Sequence, residues 1–161
     1  MRRRRAGELS IEQTRDLGTV CAMLTSAGLI TDGVDWPAAC YLLAYLGDEP
    51  VGVIGVEPRL DCALIRSLYV TPAMRSRGIG AALVAAARKA AHTRGARSLY
   101  LFSTGAGEFF QRLGFGNVPV ARVIEALQGA PQVDYYVARP DELAREVTYY
   151  LDISEDGVIR R

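Results

Sequence analysis

The residues best suited by type and spacing to do chemistry are Arg75-Ser76-Arg77-Gly78-Ile79-Gly80-Ala81. They stand between a β-rich run ending at Val70-Thr71-Pro72 and an Ala-rich stretch that reaches Thr93. Glycines at a helix start leave backbone N–H groups uncovered, and those donors, with the positive end of the helix dipole, bind anions. Arg75 and Arg77 add positive charge beside them. A nucleotide P-loop would need GxxxxGK[ST], a string the chain lacks. A dinucleotide fold would need GxGxxG, but its third glycine position is Leu83 and its acidic position is near Tyr100. The segment therefore reads as an anion site of neither kind.

Charge supports that reading. Residues 62–107 carry seven basic and no acidic side chains, a net of +7. The flanks, 1–61 and 108–161, each carry six basic and nine acidic ones, a net of −3. Clustered positive charge attracts phosphate-bearing ligands. Without Arg2–Arg5 the chain has 15 basic against 18 acidic residues, which argues against general nucleic-acid binding.

The elements that must position this segment follow from periodicity. A helix is expected over Ile11 to Leu29, with Leu17, Val20, Cys21, Leu24 and Leu29 near one face and Gly28 as its stop. Tyr41–Leu46 and Val51–Glu57 read as strands around a Gly47–Pro50 turn, and Ala63–Val70 as a third strand. Gly78–Thr93 reads as a helix, Ser98–Phe102 as a buried strand, Glu108–Leu113 as a short helix and Ile124–Gln128 as helical. Glu146–Ile153 alternates like a closing strand. The expected fold is a single α/β domain: a mixed, mostly antiparallel central sheet flanked by helices.

With 161 residues, half of them hydrophobic and 23% charged, the chain suits one packed domain over 7–161 after a basic tail, 1–6. The longest apolar stretch, Ala38 to Val56, is broken by Asp48-Glu49-Pro50, so no membrane span is expected. No apolar run follows MRRRR, so no secretory signal is expected either. Cys21, Cys40 and Cys62 lack CxxC spacing and read as reduced core thiols of a cytoplasmic protein, with no metal site.

Other side chains carry two readings each. Glu57 ends a strand on the face of Val51 and Val53, a setting for a general base; Arg66, its diagonal neighbour, would equally make it half of an ion pair. Arg66 could instead grip a substrate carboxylate with its planar fork. Trp36, between the first helix and the sheet, suits an acceptor pocket or plain packing. The pairs Tyr135-Tyr136 and Tyr149-Tyr150 read as straddling strands, one ring in the core and one wet, and either wet ring could line the substrate cavity. His92, four residues after Arg88, reads as a solvated polar-face residue.

The longer pattern, Arg-x-x-Gly-x-Gly-Ala after a strand ending Val-x-Pro, resembles the acetyl-CoA motif of the GNAT (GCN5-related) N-acetyltransferase superfamily. The element order and Phe109-Phe110-x-x-Leu113-Gly114-Phe115 resemble it too, over about residues 11–118. The resemblance implies that the backbone of Leu68, Tyr69 and Val70 holds the pantetheine arm as an added strand. It gives the pyrophosphate to the N–H groups of Arg75, Ser76, Arg77, Gly78, Ile79, Gly80 and Ala81, and sets Phe109 beside the arm. The string GVEPRLDCALIRSLYV further resembles an arsenic-resistance or amino-acid N-acetylating branch.

Two positions depart from the pattern. Phe110 stands where a tyrosine often serves as general acid, and Ser103 where an asparagine is common. A thiol near pKa 8.5 is a tolerable leaving group without full protonation. Tyr69, Tyr149, Tyr150 or water are then the proton donors to consider. The implied reaction moves acetyl from acetyl-CoA, as co-substrate, to a primary amine of a small amino acid or amino-acid-like molecule by direct attack. An α-amine of pKa about 7.8 is over about ten per cent free base at pH 7, so it asks little of a base. The contrasting reading, which Phe110 favours, is a CoA-binding module without turnover. Homodimerisation is the assembly the resemblance implies, with no nucleic-acid or membrane partner.

Overall fold

Apolar, β-rich runs, buried on both faces at the centre, assemble a seven-stranded sheet in the order β1-β2-β3-β4-β5-β7-β6. The structure, a computed structural model, describes residues 4–157. In chain order these form β1 (Leu9–Thr14), α1 (Leu17–Ser26), β2 (Cys40–Leu46), β3 (Glu49–Arg59) and β4 (Cys62–Val70). A 3-10 turn at Pro72–Met74 leads to α2 (Ile79–Thr93), β5 (Ser98–Ser103) and α3 (Gly107–Arg112). Then come β6 (Gly116–Asn117), α4 (Val120–Ala126), α5 (Pro131–Val137), α6 (Pro140–Leu143) and β7 (Val147–Asp152). Only β4 and β5 run parallel, joined by the α2 crossover that parallel strands require. The sheet is thus mixed and mostly antiparallel, as expected.

Three expectations are corrected. The helix expected from Ile11 starts only at Leu17, because Ile11 pairs with Ala44 within β1. Asp16 fixes that start: its carboxylate accepts from the Thr19 N–H at 3.1 Å and from the Thr19 hydroxyl at 2.6 Å. The helix expected at Ile124–Gln128 lies earlier, at Val120–Ala126. Tyr135 and Tyr136 belong to helix α5 instead of a strand; Pro131 at its first turn presets the helical φ. Arg4, in the segment read as a tail, lies over the Tyr45 ring at 3.5 Å and bonds Glu12. Arg2 and Arg3 fall outside the described residues.

Both sheet faces are covered. Helix α2 presents Leu83, Val84, Ala87 and Ala91 to Leu42, Ile54, Ala63, Ile65, Leu99 and Leu101, and Phe110 of α3 closes that core. Small alanines let α2 sit near the sheet, and each fully buried Leu or Ile contributes roughly 1.5–3 kcal/mol. On the opposite face α1 packs Val20 and Leu24 on Tyr41, Leu43 and Val53. Helices α4 and α5 pack Val123, Leu127 and Val133 on Leu64 and Tyr100.

The feature that makes a site is a bulge in β4. Val53 pairs with Tyr69 but Gly55 with Arg66, so β4 carries one extra residue there. Ser67 takes it up at φ 61°, a conformation rare for a non-glycine residue. The β4–β5 ladder ends one residue before Arg66, at Ile65 opposite Leu101. Beyond that point the two strands part, and among the described residues no strand covers the β5-facing edge of β4. Among the described residues no helix is long and apolar enough to cross a membrane.

Candidate functional site

Where β4 and β5 separate, a cavity of about 930 Å³ opens. Its floor is Ile65 to Leu68, and one wall is the end of β5 with the turn to Ala106. Gly28 to Ile30, after α1, and residues of α5, α6 and the approach to β7 close the other sides. Leu68, Arg75, Ser103 and Phe110 all line it.

The anion segment follows directly after Arg75. No acceptor is found among the described residues for the N–H groups of residues 76–81; the first inward bond runs from Ala82 N–H to the Gly78 carbonyl at 3.0 Å. Gly78 holds φ 79°, a left-handed conformation that glycine adopts without steric cost, and nothing stands within 4 Å of where a Cβ would be. A Cβ on Gly80 would lie 3.4 Å from the Phe109 ring, so Phe109 packs against the opening turn of α2. Ser76, at φ 61°, and Arg77 are exposed, Ile79 is buried, and Ala81 is half-buried. The Arg75 Nε–H donates to the Val70 carbonyl at 3.0 Å, tying the anion turn to the end of β4. The Ser103 hydroxyl accepts from the Ala106 N–H at 3.1 Å and fixes the turn into α3.

Glu57 and Arg66 meet as the diagonal pairing suggests. Arg66 Nη1 donates to Glu57 Oε2 at 2.8 Å, and neither side chain is exposed. The other Glu57 oxygen accepts from the Gln132 N–H at 3.0 Å. The remaining Arg66 bonds go to the Asp32 carbonyl at 2.7 Å, the Ile30 carbonyl at 3.0 Å and the Ser67 hydroxyl at 3.0 Å. This guanidinium therefore ties the β4 bulge, the loop after α1 and the start of α5 into one unit. Gly55 leaves room for it: a Cβ there would meet Tyr41 at 2.6 Å and Arg66 Cγ at 3.1 Å.

Several expected side chains stand apart from the cavity. Trp36 is half-buried in the loop before β2, and neither it nor the Tyr69 ring lines the cavity. The Tyr69 ring packs toward the α1 core, with the Arg75 guanidinium 5.7 Å away. Tyr149 is buried, its hydroxyl 2.5 Å from a Cβ placed on Gly107, while Tyr150 is half-buried beside Tyr100 on the other face. Phe110, buried edge-on to Phe109 and Phe115, offers no proton where one was sought. His92 lies at the end of α2 next to Gly157, away from the cavity. Cys40 and Cys62 are buried free thiols whose pKa burial pushes up, and no cysteine lines the cavity.

Gln132, Glu142 and Glu146, which sequence reasoning did not single out, line the cavity with Tyr136, one of a tyrosine pair considered for it. The Tyr136 hydroxyl donates to Glu146 Oε1 at 2.7 Å, and the Tyr135 hydroxyl to Glu142 Oε2 at 2.8 Å. Burial, first, and the Glu142 charge hold the Glu146 carboxyl above the usual range, against the lowering effect of the Tyr136 bond. Burial and then the Glu146 bond raise the Tyr136 phenol. The Glu142–Glu146 spacing of four was visible in the sequence; the fold that turns it toward β4 was not.

Residues 18–115 match the Acetyltransferase (GNAT) family. An uncharacterized N-acetyltransferase of Methanocaldococcus jannaschii is 31% identical over 93 residues, which cover 51% of this chain and 41% of that protein. The chain thus spans about two fifths of that relative's length. An N-acetylglutamate synthase from Neisseria gonorrhoeae, solved with coenzyme A and N-acetyl-glutamate, superposes with TM-score 0.66 at 19% identity, covering 92% of this chain and 36% of that one. A GNAT-family acetyltransferase of Staphylococcus aureus superposes at 0.65 with 13% identity, covering 91% and 99%. A Mycobacterium tuberculosis protein solved with CoA superposes at 0.67 with 17% identity, covering 89% and 99%.

Proposed function

The chain belongs to the GNAT acetyltransferase family, and from that premise we propose that it transfers acetyl from acetyl-CoA to a primary amine of a small molecule. The observation that carries this reading is one continuous path. A turn of six unpartnered amides, residues 76–81, leads through the uncovered edge of β4 to a walled cavity. In this reading those amides hold the pyrophosphate with Arg75 and Arg77, and the backbone of Leu68, Tyr69 and Val70 takes the pantetheine arm as a strand. Phe109 and Ser103 flank it. In this reading a backbone N–H of β4 beside the bulge polarises the thioester carbonyl as negative charge develops on its oxygen.

The amine attacks the thioester carbonyl carbon directly, a C–N bond forms, and the C–S bond breaks with its electrons on sulfur. A covalent acetyl-enzyme is not part of the proposal, since no cysteine lines the cavity. Glu57 and Arg66 are assigned to holding the bulge. Both Glu57 oxygens are occupied, and Arg66 is committed to Glu57, two carbonyls and a hydroxyl. That argues against Glu57 as the base and Arg66 as the carboxylate grip. Trp36 and the Tyr69 side chain drop out on position; the thiolate leaves unaided or with water. An amino acid or amino-acid-like acceptor is the class named by the arsenic-resistance or amino-acid branch, and the cavity, open on one side, has room for it. Residues 7–161 form one acyltransferase domain in this reading, cytoplasmic and self-associating; sedimentation tests the last point.

The second reading, a CoA-binding module without turnover, rests on Phe110. A thiol-release assay with acetyl-CoA and a panel of amino acids and aminophosphonates separates the two. Steady release with at least one amine is expected. Coenzyme A binding without release on any amine would replace the enzyme by the module.

A further inference from the structure

Resting on the acetyl-transfer reading, we propose that Glu146 is the catalytic base that takes the acceptor's ammonium proton, at a subsite it shares with Tyr136, Glu142 and Gln132. Val147 pairs with Ser103, so Glu146 stands one residue beyond the last β5–β7 pair, at the end of β5 where the cavity is open. It lines the same cavity as Ser67 and Leu68. One carboxylate oxygen accepts the Tyr136 hydroxyl, and no other partner for the carboxylate is found among the described residues. Glu57, by contrast, has both oxygens engaged and no exposure.

A second polar group on the same wall lacks a partner. Gln132, 8% exposed, lines the cavity, and its Oε1 finds no hydrogen-bond partner. That oxygen is itself shielded from the cavity, so a ligand N–H reaches it only when the Gln132 side chain turns, a turn the unsatisfied buried acceptor favours. An ammonium group supplies several donors at once. The charged and titratable groups facing the subsite are Glu142, Arg145 and Tyr136 on its own side, with the Arg66–Glu57 pair at the floor and Arg75 toward the cofactor end. Burial, first, and the Glu142 charge raise the Glu146 carboxyl above its ordinary value, against the lowering effect of the Tyr136 bond, which is the direction a base needs.

The proton balance closes. The ammonium gives one proton to the Glu146 carboxylate, and the freed lone pair forms the C–N bond. The C–S bond breaks, the second nitrogen proton goes to the leaving thiolate, and Glu146 later releases its proton to water. Products are the acetamide, free CoA thiol and one proton.

The test is kcat/KM against pH for wild type, Glu146→Gln and Tyr136→Phe, with coenzyme A affinity by calorimetry alongside. Glu146→Gln keeps an oxygen for the Tyr136 hydroxyl. It is expected to lose about 10²-fold in kcat/KM near neutrality, less as pH approaches the amine's own pKa, with coenzyme A affinity unchanged. Tyr136→Phe removes the bond that lowers the Glu146 carboxyl, so the acidic limb of the profile moves to higher pH. A constant wild-type-to-variant ratio across pH, or an unmoved limb in Tyr136→Phe, overturns the assignment of Glu146. Wild type that releases no thiol with any amine overturns the acetyl-transfer reading instead, before the variants are compared.

Discussion

The Glu57–Arg66 pair shows what a buried charge does for this site. Removing one partner strands the other without solvent, a loss of about 3–5 kcal/mol in known cases. Glu57→Ala is expected to lose stability on that scale in denaturant titration, and a change under about 1 kcal/mol would show that the pair does not hold the bulge. Glu146 behaves oppositely. Its carboxyl is raised above its unfolded value, so its stabilising contribution is present below the unfolded pKa and is lost as pH rises through the folded one. Glu146→Gln is therefore expected to melt no lower than wild type at pH 8, with any advantage vanishing below about pH 4.5. A variant less stable at pH 8 than at pH 4, relative to wild type, would contradict this. Strand parity in the sequence was enough to bring Glu57 and Arg66 together. It could not show that Ile30, Asp32 and Gln132 would surround them, because those contacts come from segments 34 to 75 residues distant in the chain.

At the scale of elements, the acceptor side depends on the loop after α1 meeting the start of α5. Gly33, at φ 76°, makes that contact possible: a Cβ there would sit 2.2 Å from Pro131 Cβ. Gly33→Ala forces the two segments apart. It is expected to raise the acceptor KM severalfold while leaving coenzyme A affinity intact, and unchanged steady-state kinetics would contradict that role. The central elements were legible because turn residues at Gly47–Pro50 and Thr71-Pro72 bound the β-rich runs of β2 to β4, and Gly95 closes the Ala-rich stretch of α2. Strand β1 was hidden because the helical face of Leu17, Val20 and Leu24 was extended back to Ile11, which 3.6-residue spacing puts off that face. Helix α5 was misread because the adjacent Tyr135-Tyr136 favours a strand by propensity. Pro131 and the packing of Val133 and Tyr136 decide otherwise. The far wall of the cavity was thus the least legible part of the site, and it holds the residues that sequence reasoning missed.

At the scale of the whole molecule, charge is sorted along the chain, +7 over residues 62–107 between flanks of −3 each. The fold carries that segment from β4 through α2 and β5, so the side proposed for the cofactor is basic, while Glu142 and Glu146 bring acidity to the proposed acceptor side. Exposed arginines act through water and are screened within about 10 Å at 0.1 M salt. Coenzyme A affinity is accordingly expected to fall as salt rises, and Arg77→Ala to flatten that dependence; a salt-independent wild type would contradict it. Beneath all of this lies the turn at Ser76 to Ala81. An amide-resolved NMR titration with coenzyme A tests it most directly. The account predicts that the amides of residues 76–81 shift most, and saturate together; coenzyme A that fails to bind, or that binds with those six amides unmoved, would contradict it.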